Sequence, residues 1–329
     1  MTTGMVANAL RTTQSIAAAL LTVVAAGVQA DDFPNKPIRL LVGTAPGGGT
    51  DFIARLLSQR FNDMWAQPVV VDNRPGATGL IAMEMAARAA PDGYTLFVFN
   101  IGHMMSAYLS RKAAIEPVRD FAPVSLIATG TSMLGVSPAL QVKTVKELVA
   151  LAKSRPGQIQ YASGGTGGIQ HLSTELLKRE AGIDLVHIPY KGSGPGTLAL
   201  VSGQVPIFFT NMLALVPHVK SGRVLGLALT GDKRSPVVPD VPTFAETGYP
   251  GVDVSLWQGM FAPVGTPKPT IDKLSSAIAG IVGTPEVRKL LASQGADPAG
   301  STPAQFGQFV QKERDRWLSI VRAAKISTN

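Results

Sequence analysis

The feature that most constrains the fold is the regular alternation of short apolar runs with segments of helical periodicity. Residues 38–42 form an apolar run of the length of a buried strand. A glycine cluster follows it, and then a helical pattern over residues 51–64 that places four apolar residues on one face: Ile53, Leu56, Leu57 and Phe61. Because this alternation recurs along the chain, we predict an α/β fold with a mostly parallel sheet.

The same reasoning assigns elements over most of the sequence. The predicted strands cover residues 38–42, 68–71, 95–99, 124–127, 159–161, 185–188, 205–209, 224–229 and 259–262. The predicted helices include residues 51–64, 79–90, 145–154, 169–180, 194–202, 268–282 and 302–324. A chain of 329 residues, 45% of them hydrophobic and 16% charged, is long enough to pack these elements into one or two domains.

The first thirty residues have the pattern of an export signal. Arg11 precedes an apolar stretch over residues 15–28, and Val28-Gln29-Ala30 places small residues where a signal peptidase requires them. A membrane anchor is the alternative, but the apolar stretch is shorter than the ~20 residues of a membrane-spanning helix. We therefore expect cleavage after Ala30 and export to the periplasm.

The composition excludes several functions. The chain has no cysteine, so disulfides, thiolate metal sites and a cysteine nucleophile are excluded. Its net charge of +8 comes from dispersed Lys and Arg, and aromatic residues make up only 6%. A nucleic-acid-binding protein would need a basic stripe with stacking aromatic residues, so we expect no nucleic-acid partner. Attraction for small anions fits this charge, although a generally basic proteome fits it equally well.

Two segments share the order strand, glycine-rich loop and helix. They read "LLVGTAPGGGTDFIARLL" from residue 40 and "IQYASGGTGGIQHLSTELL" from residue 159. Glycines allow the backbone to approach a ligand closely, and the N–H groups at the following helix N-terminus favour an anion. The duplication predicts two domains of similar build, each of which presents a helix N-terminus.

Neither loop fits a nucleotide-binding signature. A phosphate-binding P-loop requires Lys where this chain has Gly49, and a dinucleotide-binding loop requires Gly where Phe52 and Gln170 stand. Hydroxyl groups in the two loops can either cap the helices or donate hydrogen bonds to a ligand. A single loop of this kind would be structural as often as functional, but two matched loops in an exported chain favour a ligand.

Catalytic and metal-binding signatures are sparse. The four histidines are not spaced as metal ligands, and the nucleophile motif Gly-x-Ser-x-Gly is missing from the sequence. Ser163 and His171 lie eight residues apart and could meet at a site, so a periplasmic hydrolase is one alternative. For His171, backbone hydrogen bonding or ligand orientation is a commoner role than catalysis. For Asp51, helix capping is the commoner role. We expect no catalytic residue, no metal and no cofactor.

Eight motifs in fixed order span nearly the whole chain after the export signal. They are FPNKPIRLLVGTAPGGGTDFIAR, VVVDNRPGATGLIA, PDGYTL, DFAPVSLIA, YASGGTGGIQHLSTELL, HIPYKGSGPGTLALVSGQV, RSPVVPDVPTFAETGYPG and WQGMFAPVGTPKP. Together they resemble the Bug receptors, the substrate-binding proteins of tripartite tricarboxylate transporters. The resemblance implies a type II periplasmic binding protein, in which two α/β domains with mostly parallel sheets surround a ligand cleft. Domain 1 would combine residues 31–130 and 253–329, and domain 2 would be 131–252, with hinges near 130 and 253.

The resemblance also implies a ligand and a partner. In the family, the loops that match residues 44–50 and 163–166 hold a small carboxylate through backbone N–H groups and bridging waters. The residues that we predict to bind the ligand are Thr44, Ala45, Gly47, Gly48, Gly49, Thr50, Ser163, Gly164, Gly165, Thr166, Gly167, His171, Thr210 and Asn211. A monomeric receptor would close on the ligand and deliver it to a membrane permease. An orphan receptor that signals to a sensor partner is a further alternative.

The chain departs from the family pattern at two places. The first loop commonly reads Pro-aromatic-Ala-Pro-Gly-Gly, whereas this chain has Gly43-Thr44, which adds a hydroxyl donor and leaves a roomier pocket. The family commonly has Asp where Pro206 stands, and often again at Thr210. An acidic side chain there could pair with a ligand ammonium group. Its absence favours an unsubstituted mono- or dicarboxylate, aromatic ones included, over an amino acid.

Overall fold

The structure, a computed structural model, describes residues 33–110 and 114–324. The predicted export signal lies outside these described residues. The fold below is that of the unit that begins at Lys36.

Strands and helices alternate along most of the described chain. The strands are β1 (Ile38–Val42), β2 (Val69–Asn73), β3 (Thr95–Asn100), β4 (Phe121–Val136), β5 (Gln160–Ser163), β6 (Val186–Pro189), β7 (Ile207–Asn211), β8 (Leu225–Leu229), β9 (Ser255–Pro263) and β10 (Ala296–Pro298). The helices are α1 (Gly49–Trp65), α2 (Leu80–Ala87), α3 (Ile101–Leu109), α4 (Pro117–Asp120), α5 (Val145–Ser154), α6 (Ile169–Ala181), α7 (Ser193–Val201), α8 (Met212–Lys220), α9 (Lys268–Gly283), α10 (Pro285–Ser293) and α11 (Pro303–Ala324). Short 3₁₀ turns lie at Ala77–Gly79 and Pro138–Leu140.

The predicted α/β class is confirmed, and every predicted element overlaps an observed one of the same type. Helices α3, α4, α8 and α10 and strand β10 were not predicted from the sequence. Helices α3 and α8 each begin at the residue directly after a strand, at Ile101 and at Met212, with no glycine or turn residue between them. The apolar run therefore continues across the boundary, and hydrophobic periodicity does not separate the two elements.

The strands form one continuous mixed sheet in the order β2-β1-β3-β9-β4-β7-β5-β6, with β8 and β10 paired to β4. Strands joined by helical crossovers pair in parallel, as in β2-β1-β3 and in β7-β5-β6. Strand β9 pairs antiparallel with β3 and β4, and β4 pairs antiparallel with β7, β8 and β10. The antiparallel pairs in the middle of the sheet were not predicted from the alternation.

Strand β4 divides the sheet into two parts, which we call the first and the second half-sheet. Its residues 121–131 pair with β9, and with β1, β2, β3 and β10 they form the first half-sheet. Its residues 132–136 pair with β7 and β8, and with β5 and β6 they form the second half-sheet. The chain crosses between the half-sheets within β4 and again between β8 and β9. Domain boundaries near residues 130 and 253 stay a prediction.

Separate apolar clusters hold the helices on the sheet. One cluster, with Phe97, Trp257 and Trp317, packs helices against the first half-sheet. Two others lie in the second half-sheet and are built around Tyr161 and Phe208. Within the described part of the chain, none of the helices combines the length and apolar character that a membrane crossing requires.

The glycine-rich loops lie at the carboxyl ends of parallel strands. Strand β1 leads through residues 43–48 into α1, and β5 leads through residues 164–168 into α6. Helices α3, α7 and α8 likewise follow the carboxyl ends of β3, β6 and β7. Ligand sites in open α/β sheets form at this edge, so these five helix N-termini are where a site is expected.

Candidate ligand-binding site

The five helix N-termini converge on one buried cavity of about 40 Å³. A water molecule needs roughly 10–15 Å³ of such space, so the cavity holds about three water-sized groups. That is the size of one carboxylate group. The cavity is lined by Gly43, Thr44, Thr50, Thr78, Asn100, Gly102, His103, Gly164, Gly168, Ile169, Gln170, Gly192, Ser193, Asn211, Leu256, Trp257 and Gln258.

Three of these helices begin at a glycine that provides no side-chain cap. The N-cap residues of α1, α6 and α7 are Gly48, Gly168 and Gly192, and in the described structure none of the three helices has a capping side-chain hydrogen bond. The first N–H groups of a helix have no partner within it and carry a partial positive charge. These groups are therefore available to an anion in the cavity.

The other two helices at the cavity have side-chain caps. Asn100 Oδ1 accepts a hydrogen bond from the His103 N–H at 3.0 Å, and Asn211 Oδ1 accepts one from the Ala214 N–H at 2.9 Å. The Asn100 amide also donates to Thr50 Oγ1 at 2.9 Å, which ties α3 to the start of α1. The caps therefore fix the relative position of the elements around the cavity.

The lining of the cavity is polar but uncharged. Among the described residues that surround it there is no Lys, Arg, Asp or Glu. An anion would be stabilised by helix N-termini, hydroxyl groups and amides alone. A ligand ammonium group would find no carboxylate to pair with in this cavity.

Asp51 stabilises the first glycine loop. Its carboxylate accepts hydrogen bonds from the Gly47 N–H at 3.0 Å, from Arg55 Nε at 2.9 Å and from Asn73 Nδ2 at 2.9 Å. Burial alone would raise its pKa, but these bonds outweigh burial and hold the pKa below its usual value. The amide of Asn73 also donates to the Thr44 carbonyl at 3.0 Å, so the loop conformation is fixed before a ligand enters.

Ser163 and two histidines stabilise the second glycine loop. Ser163 Oγ lies 2.5 Å from His187 Nε2 and accepts a hydrogen bond from the Gly165 N–H at 3.1 Å. His171 Nδ1 accepts a hydrogen bond from the Gly167 N–H at 3.2 Å. The alternative in which Ser163 pairs with His171, as a hydrolase would require, is therefore wrong. Ser163 is fully buried and bonds to a different histidine.

Burial favours the neutral form of the two histidines behind this loop. The rings of His171 and His187 stack with centroids 4.2 Å apart, and Tyr161 stacks on the His187 ring at 5.1 Å. Burial lowers the pKa of His171, and burial together with the neighbouring His171 lowers the pKa of His187 to about 4. Neutral rings can accept the backbone and hydroxyl hydrogen bonds that support the loop.

His103 lines the cavity and was not predicted as a site residue. Its Nδ1 accepts a hydrogen bond from the Asn100 N–H at 3.3 Å, which completes a capping box at the start of α3. Its Nε2 is buried and has no hydrogen-bond partner among the described residues. Burial lowers the pKa of this imidazole to about 3. The capping spacing Asn100-x-x-His103 is a sequence signal that could have identified it.

A wider groove of about 560 Å³ adjoins the cavity and shares Gly43, Thr78 and Gly164 with it. Two hydrogen bonds beside the groove join loops of the first half-sheet to loops of the second. Thr78 Oγ1 donates to the Thr166 carbonyl at 2.9 Å, and the Ala45 N–H donates to the Lys191 carbonyl at 3.0 Å. The remaining groove residues are Gly76, Ala77, Leu80, Ser106, Leu109, Ser110, Gly165, Thr166, Gly167, Pro189, Tyr190 and Lys191.

The structure divides the predicted site residues into two groups. Seven of the fourteen line the cavity or the groove: Thr44, Thr50, Gly164, Gly165, Thr166, Gly167 and Asn211. The other seven lie in or behind the same loops without lining either space: Ala45, Gly47, Gly48, Gly49, Ser163, His171 and Thr210. Residues of both loops thus lie beside the same cavity and groove, and contact of any of these residues with a ligand stays a prediction.

Several lining residues lie outside both glycine loops in the sequence. Gln170 follows the second loop at the start of α6, Ser193 is at the start of α7, and Trp257 and Gln258 are on β9. The β9 residues reach the cavity only because this strand pairs antiparallel with β3, so that Gln258 lies opposite Asn100. No local sequence signal marks such a residue. Among the described residues, no three His, Asp or Glu side chains cluster as metal ligands.

Comparison with known proteins identifies the family. The fold is that of periplasmic solute-binding proteins. Residues 53–326 match the tripartite tricarboxylate transporter family receptor, and the chain belongs to this family. The predicted resemblance is confirmed, and the family is one of receptors, not of enzymes.

Similar proteins support this assignment. The protein BugT of Bordetella pertussis is 38% identical over 91% of this chain and 92% of its own length. The solved structure of Rpa4515 of R. palustris with adipate has a TM-score of 0.87 and 34% identity, covering 90% of this chain and 99% of that chain. The structure of MatC from Rhodopseudomonas palustris with bound malate has a TM-score of 0.84 and 35% identity. It covers 88% of this chain and 100% of that chain.

Proposed function

We propose that this protein is a periplasmic receptor that captures a small carboxylate and delivers it to a membrane transporter. The observation that carries the proposal is the convergence of three helix N-termini without side-chain caps, at Gly48, Gly168 and Gly192, on one uncharged cavity. Such a cavity stabilises a carboxylate through dipoles and hydrogen bonds. Among the described residues, no lysine or arginine lines this cavity, so the carboxylate in it forms no salt bridge there that would slow its release.

The ligand class follows from the size and charge of the site. A cavity of about 40 Å³ accepts one carboxylate group, and the adjoining groove of about 560 Å³ accepts the rest of the molecule. Related receptors bound to adipate and malate support a carboxylate ligand. Because none of the described residues that line the cavity is acidic, we propose a mono- or dicarboxylate without an ammonium group, aromatic ones included, rather than an amino acid. The predicted residues of the two loops and the further lining residues would bind it.

The mechanism that we propose is capture by closure of two domains. Domain 1 comprises residues 31–130 and 253–329, domain 2 comprises 131–252, and the hinges between them lie near residues 130 and 253. A carboxylate between the two glycine loops would add its own hydrogen bonds to those of Ala45 with Lys191 and of Thr78 with Thr166. The ligand shifts the population toward the closed state by its higher affinity for that state.

The proposed setting is the bacterial periplasm. Cleavage after Ala30 would release a monomeric receptor, and the family description supports membrane permease subunits as its partner. In a strain that lacks this protein, uptake of the labelled ligand should fall to background. Unchanged uptake together with a lost transcriptional response to the ligand would contradict delivery and favour signalling to a sensor.

Isothermal titration of the purified protein with succinate, malate, adipate and benzoate tests ligand capture. We expect at least one of these to bind with a Kd of about 10 μM or tighter, which corresponds to roughly −7 kcal/mol. Aspartate and putrescine are matched controls that carry ammonium groups, and both should bind more weakly. Failure of all four carboxylates, or tightest binding of aspartate or putrescine, would contradict the proposal.

A further inference from the structure

We infer that the Nε2–H group of His103 donates a hydrogen bond to the ligand carboxylate in the inner cavity. This inference rests on the proposed function, because it assigns a specific donor to the same site. His103 is on helix α3, outside both glycine loops, and its side chain lines the cavity. It would be a residue that positions the carboxylate and contributes to affinity.

The position of the proton on the imidazole ring follows from its hydrogen bonding. The Asn100 backbone N–H can only donate, and it points at His103 Nδ1 from 3.3 Å. Nδ1 must therefore carry the lone pair, and the neutral ring has its hydrogen on Nε2. The ring consequently presents a donor, not an acceptor, on the side away from Asn100.

This donor has no partner in the described structure. His103 is only 2% exposed, and its Nε2 makes no hydrogen bond with any described residue. A buried donor without a partner destabilises a protein, and native structures rarely leave one unpaired. Because the ring borders a cavity of the size of a carboxylate group, an anionic oxygen is the partner that satisfies it.

Two glycines make room for the ring at this place. A Cβ atom on Gly43 would lie 2.7 Å from His103 Nε2, and a Cβ atom on Gly79 would also lie 2.7 Å from it. Real Cβ atoms do not approach so closely, so any other residue at either position would displace the ring. Gly43 belongs to the first glycine loop, and this packing holds Nε2 at the edge of the loop that is proposed to bind the carboxylate.

A purely structural role does not account for the whole side chain. The capping box at the start of α3 uses only Nδ1 of His103. Gln at this position of a helix completes a capping box equally well through its Oε1. The cap therefore explains one nitrogen of the ring and leaves the buried Nε2–H without a function.

Two substitutions separate these roles. His103→Gln retains an acceptor for the Asn100 N–H and an amide donor, whereas His103→Leu removes both. With the tightest binder among succinate, malate, adipate and benzoate, we expect a Kd within about 5-fold of wild type for His103→Gln. We expect a Kd at least about 10-fold weaker for His103→Leu, as for loss of a hydrogen bond to a charged group. His218→Gln is the matched control, because Nδ1 of His218 also lacks a partner but does not line the cavity.

A spectroscopic measurement on the wild-type protein does not depend on how the variants fold. In ¹⁵N-histidine spectra, the Nε2–H proton of His103 should move downfield on addition of the ligand, and it should be assigned by its disappearance in His103→Gln. A structural role alone would leave this resonance in place. If the wild type binds but the resonance is unmoved and His103→Leu binds as tightly as wild type, the inference is overturned while the proposed function stands. If the wild type binds none of the four carboxylates, the proposed function fails and the inference fails with it.

Discussion

Gly43 lies directly against the imidazole of His103. A Cβ atom at position 43 would stand 2.7 Å from His103 Nε2 and 2.8 Å from the Cα atom of Gly79. The second contact is with backbone, which cannot move aside as a flexible side chain can. The packing gives a physical reason for Gly43, one of the two residues at which the first loop departs from the common family pattern.

Substitution Gly43→Ala should therefore lower both stability and affinity. Overpacking at such a contact costs about 1–3 kcal/mol, and displacement of the ring would widen or close the cavity. Urea unfolding and titration calorimetry measure the two effects. Gly280→Ala is the matched control, because its Cβ would meet no atom within 4 Å and Ala favours the interior of helix α9. Equal stability of Gly43→Ala and the control would contradict the close packing.

Thr44→Val should separate ligand binding from stability. Thr44 Oγ1 is buried without a hydrogen-bond partner, so its replacement by an isosteric methyl group should leave the free energy of unfolding unchanged or raise it by up to about 1 kcal/mol. If the hydroxyl donates to the ligand, the Kd should rise about 10-fold. Thr197→Val is the control, since Thr197 Oγ1 also lacks a partner but does not line the cavity. Equal affinities for both variants would exclude Thr44 as a ligand donor.

Asp51→Asn should destabilise the first loop before any ligand is added. The carboxylate accepts three hydrogen bonds, including one from Arg55. Loss of its charge should lower the free energy of unfolding by about 2–3 kcal/mol. The control is Asp272→Asn, whose exposed pair with Lys268 should contribute under about 0.5 kcal/mol. Comparable losses in the two variants, measured by urea unfolding, would contradict the role of Asp51 as a support of the loop.

Stability should fall as the pH is lowered from 7 to 5, partly through His103. Its unfolded pKa is 6.5 and its folded pKa about 3, so between these values the unfolded state binds more protons. At pH 5, this group alone therefore lowers the free energy of unfolding by about 2 kcal/mol. His103→Gln should reduce the difference in unfolding free energy between pH 7 and pH 5 by about that amount. An unchanged difference would mean that the ring is not buried in its neutral form.

Much of the fold was predictable from the sequence because its signals are local. The glycine cluster before α1 and the helical pattern after it depend on neighbouring residues, and both elements lie where they were predicted. Strand β4 is sixteen residues long, whereas only residues 124–127 were predicted as its strand. The rest contains Gly130 and polar residues that become a strand through pairing with β9, β7 and β8. Such long-range pairing leaves no periodicity for a local pattern to detect.

The site was predictable in part for the same reason. The two glycine loops are visible as motifs, and their association follows from the position of both at the carboxyl ends of parallel strands. The histidine that bonds to Ser163 was not predictable from the sequence, because the parallel pairing of β5 with β6 places His187 beside it. His171 is nearer in sequence, but its Nδ1 accepts the Gly167 N–H instead. Proximity along the chain was therefore a poor guide to partners within the loop.

A crystal structure of the protein with its tightest-binding carboxylate tests the central claim most directly. We expect one carboxylate group in the inner cavity, with its oxygens within about 3 Å of backbone N–H groups at the starts of α1, α6 or α7. No Lys or Arg side chain should contact that group. A carboxylate that lies outside this cavity, or that is held there by a basic side chain, would contradict the claim that uncapped helix N-termini capture the ligand.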